Sequence, residues 1–102
     1  MFDVDELARL SGGAVVVDVR QPEEYDEFHA PGSVLIPLVD VPERIDEIPT
    51  DGTVYVICLT GSRSERAVEY LLRQDIDAVN VVGGMKAWSA AGHPVATGPE
   101  PG

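Results

Sequence analysis

Four short stretches of the chain are rich in β-branched apolar residues: "AVVVDV" (14–19), "VLI" (34–36), "VYVIC" (54–58) and "AVNVV" (78–82). Turn or helix signals bound each of them, which predicts four strands. The first and third are apolar on consecutive positions. That pattern suits a strand buried on both faces of a parallel sheet and not a half-exposed one. Helices are then required on both sides of the sheet.

The segments between the strands supply them. Asp3 can cap a helix over about 4–10, with Gly12 and Gly13 to end it, and Pro22 suits the first turn of a short helix through Tyr25. Pro42 predicts another helix over "PERIDEI". From Ser62 to Gln74, Ala67, Val68, Leu71 and Leu72 recur on one apolar face while Glu65, Arg66, Glu69 and Arg73 fall opposite. A last helix over about 85–91 places Met85 and Trp88 on one side, as packing residues. Strands alternating with helices predict one α/β domain without linkers or repeats.

Composition narrows the function classes. Eighteen acidic against seven basic residues give a net charge of -11, which disfavours nucleic acid and anionic membrane surfaces as partners. An anionic ligand would need a local cluster of N–H groups and positive charge. Cys58 is the only cysteine, so no intrachain disulfide can form, and His29 and His93 lack metal-ligand spacing; neither metal nor cofactor is expected. The acidic start "MFDVDEL" and the lack of a long apolar run lead to the expectation of a cytoplasmic protein.

The chemistry concentrates in "CLTGSR" (58–63). Cys58 ends a strand that reads as central, and the most periodic helix begins within a few residues. In open α/β sheets ligands bind beyond the carboxyl ends of strands, where helix N-termini converge. A positive dipole end and an arginine favour the thiolate, the reactive form of cysteine. Between Cys58 and Arg63 there is no proline, so the N–H groups from Leu59 onward are free to form an anion nest, and Gly61 permits the left-handed turn such a curl needs. The same residues also fit a small apolar thiol that merely fills space beneath a helix.

Three motifs in order decide between these readings. "VVVDVRQPEEYDEFHAPGSVLIPL", the loop "CLTGSR" and "VVGGMKAWSAAGHPV" together closely resemble a single-domain rhodanese, a family of sulfurtransferases. Asp18, Arg20, Glu24, Tyr25, His29, Pro31, Gly32, Ser33, Ile36 and Pro37 carry the first match, and Gly83, Gly84, Trp88, Gly92, Pro94 and Val95 the last. The resemblance implies a rhodanese-like three-layer α/β sandwich, with a mainly parallel central sheet flanked by helices on both faces. It implies one domain over 1–98, with 99–102 a flexible tail.

By the same resemblance Cys58 is the catalytic nucleophile. Leu59, Thr60, Gly61, Ser62 and Arg63 form the loop that binds substrate and persulfide, and Arg63 orients it. The implied reaction takes a sulfane sulfur from thiosulfate or a persulfide donor and passes it to cyanide, a thiol or a protein. The alternative is a non-catalytic interaction or sulfur-carrier module. A cysteine phosphatase would need arginine at position 64, where Ser64 stands. Many members of the family carry a basic residue after the cysteine; Leu59 and Thr60 are neutral, which leaves Arg63 the only cation inside the loop. Thr60 and Ser62 can offer hydroxyls to the sulfur. Asp18 is placed at the site's rim or in a structural role. Arg20 is expected to pair with an acid such as Glu24, His29 to make structural hydrogen bonds, and His93 to be solvated.

Overall fold

A computed structural model describes residues 1–10 and 13–102. Strands β1 (Phe2–Asp3), β2 (Val15–Asp18), β3 (Val34–Leu35), β4 (Val54–Ile57) and β5 (Ala78–Val82) alternate with helices α1 (Val4–Leu10), α2 (Pro22–Glu27), α3 (Ser62–Arg73) and α4 (Gly84–Ala90). The strands form one parallel sheet in the order β1-β5-β4-β2-β3, so the strand that ends at the cysteine is the middle one.

Two apolar layers sandwich the sheet. Val17, Val19, Val54 and Val56 pack with Ala67, Val68 and Leu71 of α3 on one face. Ile57 and Val81 pack with Val4 and Leu7 of α1 and Met85 and Trp88 of α4 on the other. Each fully buried aliphatic side chain among them contributes about 1.5–3 kcal/mol. Leu72, read as part of the α3 core face, is 52% exposed. At 100° per residue it lies on the flank of the stripe defined by Ala67, Val68 and Leu71.

Asp3 caps α1 as expected. Its Oδ1 accepts the Glu6 N–H at 3.0 Å, and Glu6 Oε1 accepts the Asp3 N–H at 3.3 Å, a reciprocal box. Gly12, named as a stop for this helix, lies outside the described residues. Strand β1 was not foreseen; two residues at an edge, Phe2 opposite Val81 and Asp3 opposite Val82, leave no readable pattern.

The helix expected over 42–48 is replaced by two single 3-10 turns, Leu38–Asp40 and Ile45–Glu47. Pro42 can only begin a helix and Pro49 follows Ile48 immediately, so too few residues remain between them for an α-helix to propagate. The chain end, read as a flexible tail, runs back over α2. His29 and Ala96 exchange both backbone hydrogen bonds at 2.9 and 2.8 Å, the Gly98 N–H meets the Asp26 carbonyl at 2.7 Å, and the Gly32 N–H meets the Pro101 carbonyl at 2.8 Å.

Candidate active site

Alternation along β4 turns Val54, Val56 and Cys58 towards α3, so the thiol lies under that helix's first turn, 1% exposed. Gly61 begins the helix with φ of 108°, a conformation that favours glycine, and its N–H donates to Cys58 Sγ at 3.0 Å. Ser64 Oγ lies 3.3 Å from the sulfur. Burial pushes the Cys58 thiol up. The Ser64 hydroxyl and the backbone N–H groups of Ser64, Gly61 and Thr60 together outweigh it and hold the thiol below its ordinary range. The dipole of α3 acts in the same direction. The sulfur is therefore ringed by backbone N–H groups and the Ser64 hydroxyl oxygen.

Ser64 and Asn80 were not singled out from the sequence. Ser64 is fully buried, and its hydroxyl donates a short hydrogen bond to Asn80 Oδ1. Asn80 Nδ2 in turn donates to the Gly61 carbonyl at 3.2 Å. A signal existed for both. Ser64 stands three and four residues before Ala67 and Val68, on the core stripe of α3, and Asn80 is the one polar residue in "AVNVV".

The carbonyls of Cys58 and Leu59 face away from α3. They accept the N–H groups of Met85 and Lys86, at 2.7 and 2.9 Å, and so cap the start of α4. This contact requires Gly84. A Cβ there would fall 2.4 Å from the Cys58 carbonyl oxygen, and φ is 56°.

The charged residues pair differently from the expectation. Arg20 does not meet Glu24: its guanidinium bonds both oxygens of Asp18 at 2.9–3.1 Å and the Phe28 carbonyl at 2.7 Å, with Asp18 Oδ1 also accepting the Arg20 N–H. Both side chains are buried, so Asp18 and Arg20 form an internal ion pair beside the site. Residues two apart at a strand's end can meet in this way, whereas Glu24, in the first turn of α2, is engaged elsewhere. Glu24 instead binds Arg63 through two bonds of 2.7 and 2.9 Å. The Arg63 bond, helped by the Gln21 N–H and opposed by partial burial, lowers the Glu24 carboxyl to about 2. Arg63 is raised above its ordinary value, chiefly by the same bond.

Leu59, Thr60 and Ser62 are exposed on the loop. The hydroxyl against the sulfur belongs to Ser64, and Thr60 contributes its backbone N–H. His29 is buried, its ring stacked on Tyr25 at 3.6 Å, with Nδ1 2.8 Å from the Tyr25 carbonyl and Nε2 3.1 Å from that of Pro101. His93 is half-buried, not freely solvated: Nε2 meets Asp5 Oδ1 at 2.8 Å and the ring tilts against Trp88 at 4.7 Å. Among the described residues, no group of three or more His, Cys, Asp or Glu is gathered as a metal site. No helix among them is long and apolar enough to cross a membrane.

A low-lying thiol beneath a helix N-terminus, facing a ring of amides, can act as a nucleophile and hold an anionic sulfur. The comparisons with known proteins point to the same chemistry. A Bacillus subtilis protein whose name proposes a sulfur-carrier role, YrkF, is 43% identical over 75 residues; these are 72% of this chain, which spans only 40% of that protein. A sulfurtransferase of Allochromatium vinosum is 37% identical over 82 residues, covering 79% of this chain and 77% of that one. The crystal structure of a rhodanese-related protein from Thermoplasma volcanium superposes with a TM-score of 0.88 at 30% identity, covering 98% of this chain and all of the other. The family model for the rhodanese-like domain matches residues 3–91, from β1 to the end of α4, and with the parallel sheet and the cysteine loop in place the chain belongs to that family.

Proposed function

We propose that this chain is a sulfurtransferase that moves a sulfane sulfur through a Cys58 persulfide, with thiosulfate or a related persulfide as donor. The Cys58 thiolate attacks the outer sulfur of thiosulfate. The donor's S–S bond breaks, and its electron pair leaves with sulfite. An acceptor (cyanide, a thiol or a protein thiol) then attacks the terminal sulfur, and the electron pair of the Sγ–S bond returns to Cys58. The observation that carries this reading is the Gly61 N–H at 3.0 Å from Sγ at the N-terminus of α3. Loop N–H groups of this kind stabilise the negative charge that the persulfide carries. An unpaired cysteine suits a reducing compartment, so we place the protein in the cytoplasm.

Intact-protein mass spectrometry after thiosulfate treatment tests it. One added sulfur is expected, removed by dithiothreitol and absent from Cys58→Ser. Absence of the adduct with every sulfane donor overturns the reading. The similarity to YrkF favours a second one, in which the chain only carries sulfur for a partner enzyme. Many thiocyanates formed per protein from thiosulfate and cyanide identify an enzyme; persulfide without turnover identifies a carrier.

A further inference from the structure

Cys58, Ser64, Asn80 and Gly61 form a closed circuit around the sulfur. Asn80 Nδ2 is committed to the Gly61 carbonyl, which can only accept, and this fixes the orientation of the amide. Its Oδ1 therefore faces Ser64 and takes the hydroxyl proton. A serine hydroxyl has one proton. While that proton points at Asn80, the side of Ser64 Oγ nearest the sulfur carries only lone pairs. That arrangement accepts a thiol S–H but gives nothing to a thiolate.

We propose that Asn80 competes with Cys58 for the single hydroxyl proton of Ser64, and so sets how readily the nucleophile becomes anionic. In the thiol state the hydrogen bonds run one way, from Cys58 to Ser64 to Asn80 to Gly61. When the thiol proton leaves for solvent, the Ser64 proton swings to Sγ and Asn80 Oδ1 loses its donor; no proton is passed along the chain. Asn80 is then a positioning residue acting through Ser64, on a strand 22 positions beyond the cysteine. Glu65 and Arg66, early in α3, are exposed, and the other charged groups around the loop are paired or lie on α4. Arg63 ends the loop and is bound to Glu24 of α2, Asp18 on β2 is bound to Arg20, and Lys86 lies in the first turn of α4.

The inference rests on Cys58 being the nucleophile, but its test reads the thiol and not sulfur transfer. The rate of iodoacetamide alkylation of the full chain is followed against pH. Ser64→Ala should raise the midpoint by about half to one pH unit, the size of one net hydrogen bond, and Asn80→Val should lower it by a similar amount. Ser64→Thr should restore the profile. In the Ser64→Ala background Asn80→Val should change nothing further, and Asn80→Ala serves if the valine variant does not fold. A shift of Asn80→Val in the same direction as Ser64→Ala, or none, overturns the relay and leaves the sulfurtransferase reading intact. Opposite shifts in a chain that forms no persulfide would uphold the relay and sink that reading.

Discussion

The Arg63 guanidinium closes on both carboxylate oxygens of Glu24, at 2.7 and 2.9 Å, and ties the start of α3 to α2 across 39 residues of sequence. The pair is part-exposed, 31% for each side chain, so it contributes about 1 kcal/mol at most to stability. Its larger consequence is for the loop, whose last residue is held from outside.

Arg63→Ala should therefore lower the rate of persulfide formation by tenfold or more, on the order of what one positioned charge contributes near an anionic transition state, while moving the melting temperature by only a few degrees. Single-turnover sulfur loading beside calorimetry checks this. Losses of equal free energy in both would make the residue structural.

Acid should reveal the same pair. Glu24 is depressed to about 2 in the folded chain from its ordinary 4.5, so the unfolded chain binds more protons between those values. The stability this contributes is full above about 4.5 and is lost as pH falls towards 2. Discounted for solvent screening, about 1 kcal/mol should separate the protein from Glu24→Gln at pH 6 and vanish near pH 2. Urea titrations of both at the two pH values decide it; a gap that survives at pH 2 contradicts the assignment.

Gly84→Ala should be severe. The added methyl would fall 2.4 Å from the Cys58 carbonyl oxygen and 2.6 Å from the Leu59 carbonyl, both backbone atoms, at a φ of 56°. A cost of about 2–4 kcal/mol is expected, with persulfide formation reduced in the fraction that folds. Denaturant midpoints measure the first and mass spectrometry the second. An unchanged midpoint would mean the loop yields freely.

What could be read in advance depended on how local the cause was. Cys58, Gly61 and the α3 N-terminus were legible because an apolar run ends and a helical period begins within four residues. The reason for Gly84, the first residue of α4, was not legible: it is a close approach to the carbonyls of Cys58 and Leu59, 26 and 25 positions earlier, and so is non-local. Arg20 does pair with an acidic neighbour, but with Asp18, two residues before it, and not with Glu24; the partner of Glu24 was not legible because Arg63 lies on another helix, 39 positions away. The 42–48 segment misled because Pro42 does suit a helix start, but Pro49 closes the run before an α-helix can propagate. Ser64 was visible as a polar residue on an apolar stripe, and its partnership with Asn80 depends on how β5 pairs with β4.

Because the cysteine's own carbonyl and that of Leu59 are the acceptors for the first amides of α4, the loop is anchored to the layer beneath the sheet as well as to the one above it. Trp88 and Met85, buried in that lower layer, belong to the helix whose first amides these carbonyls accept. A substitution on the opposite side of the strands that shifts α4 would thus reach the backbone of the nucleophile itself through two hydrogen bonds, without altering any side chain that touches the sulfur.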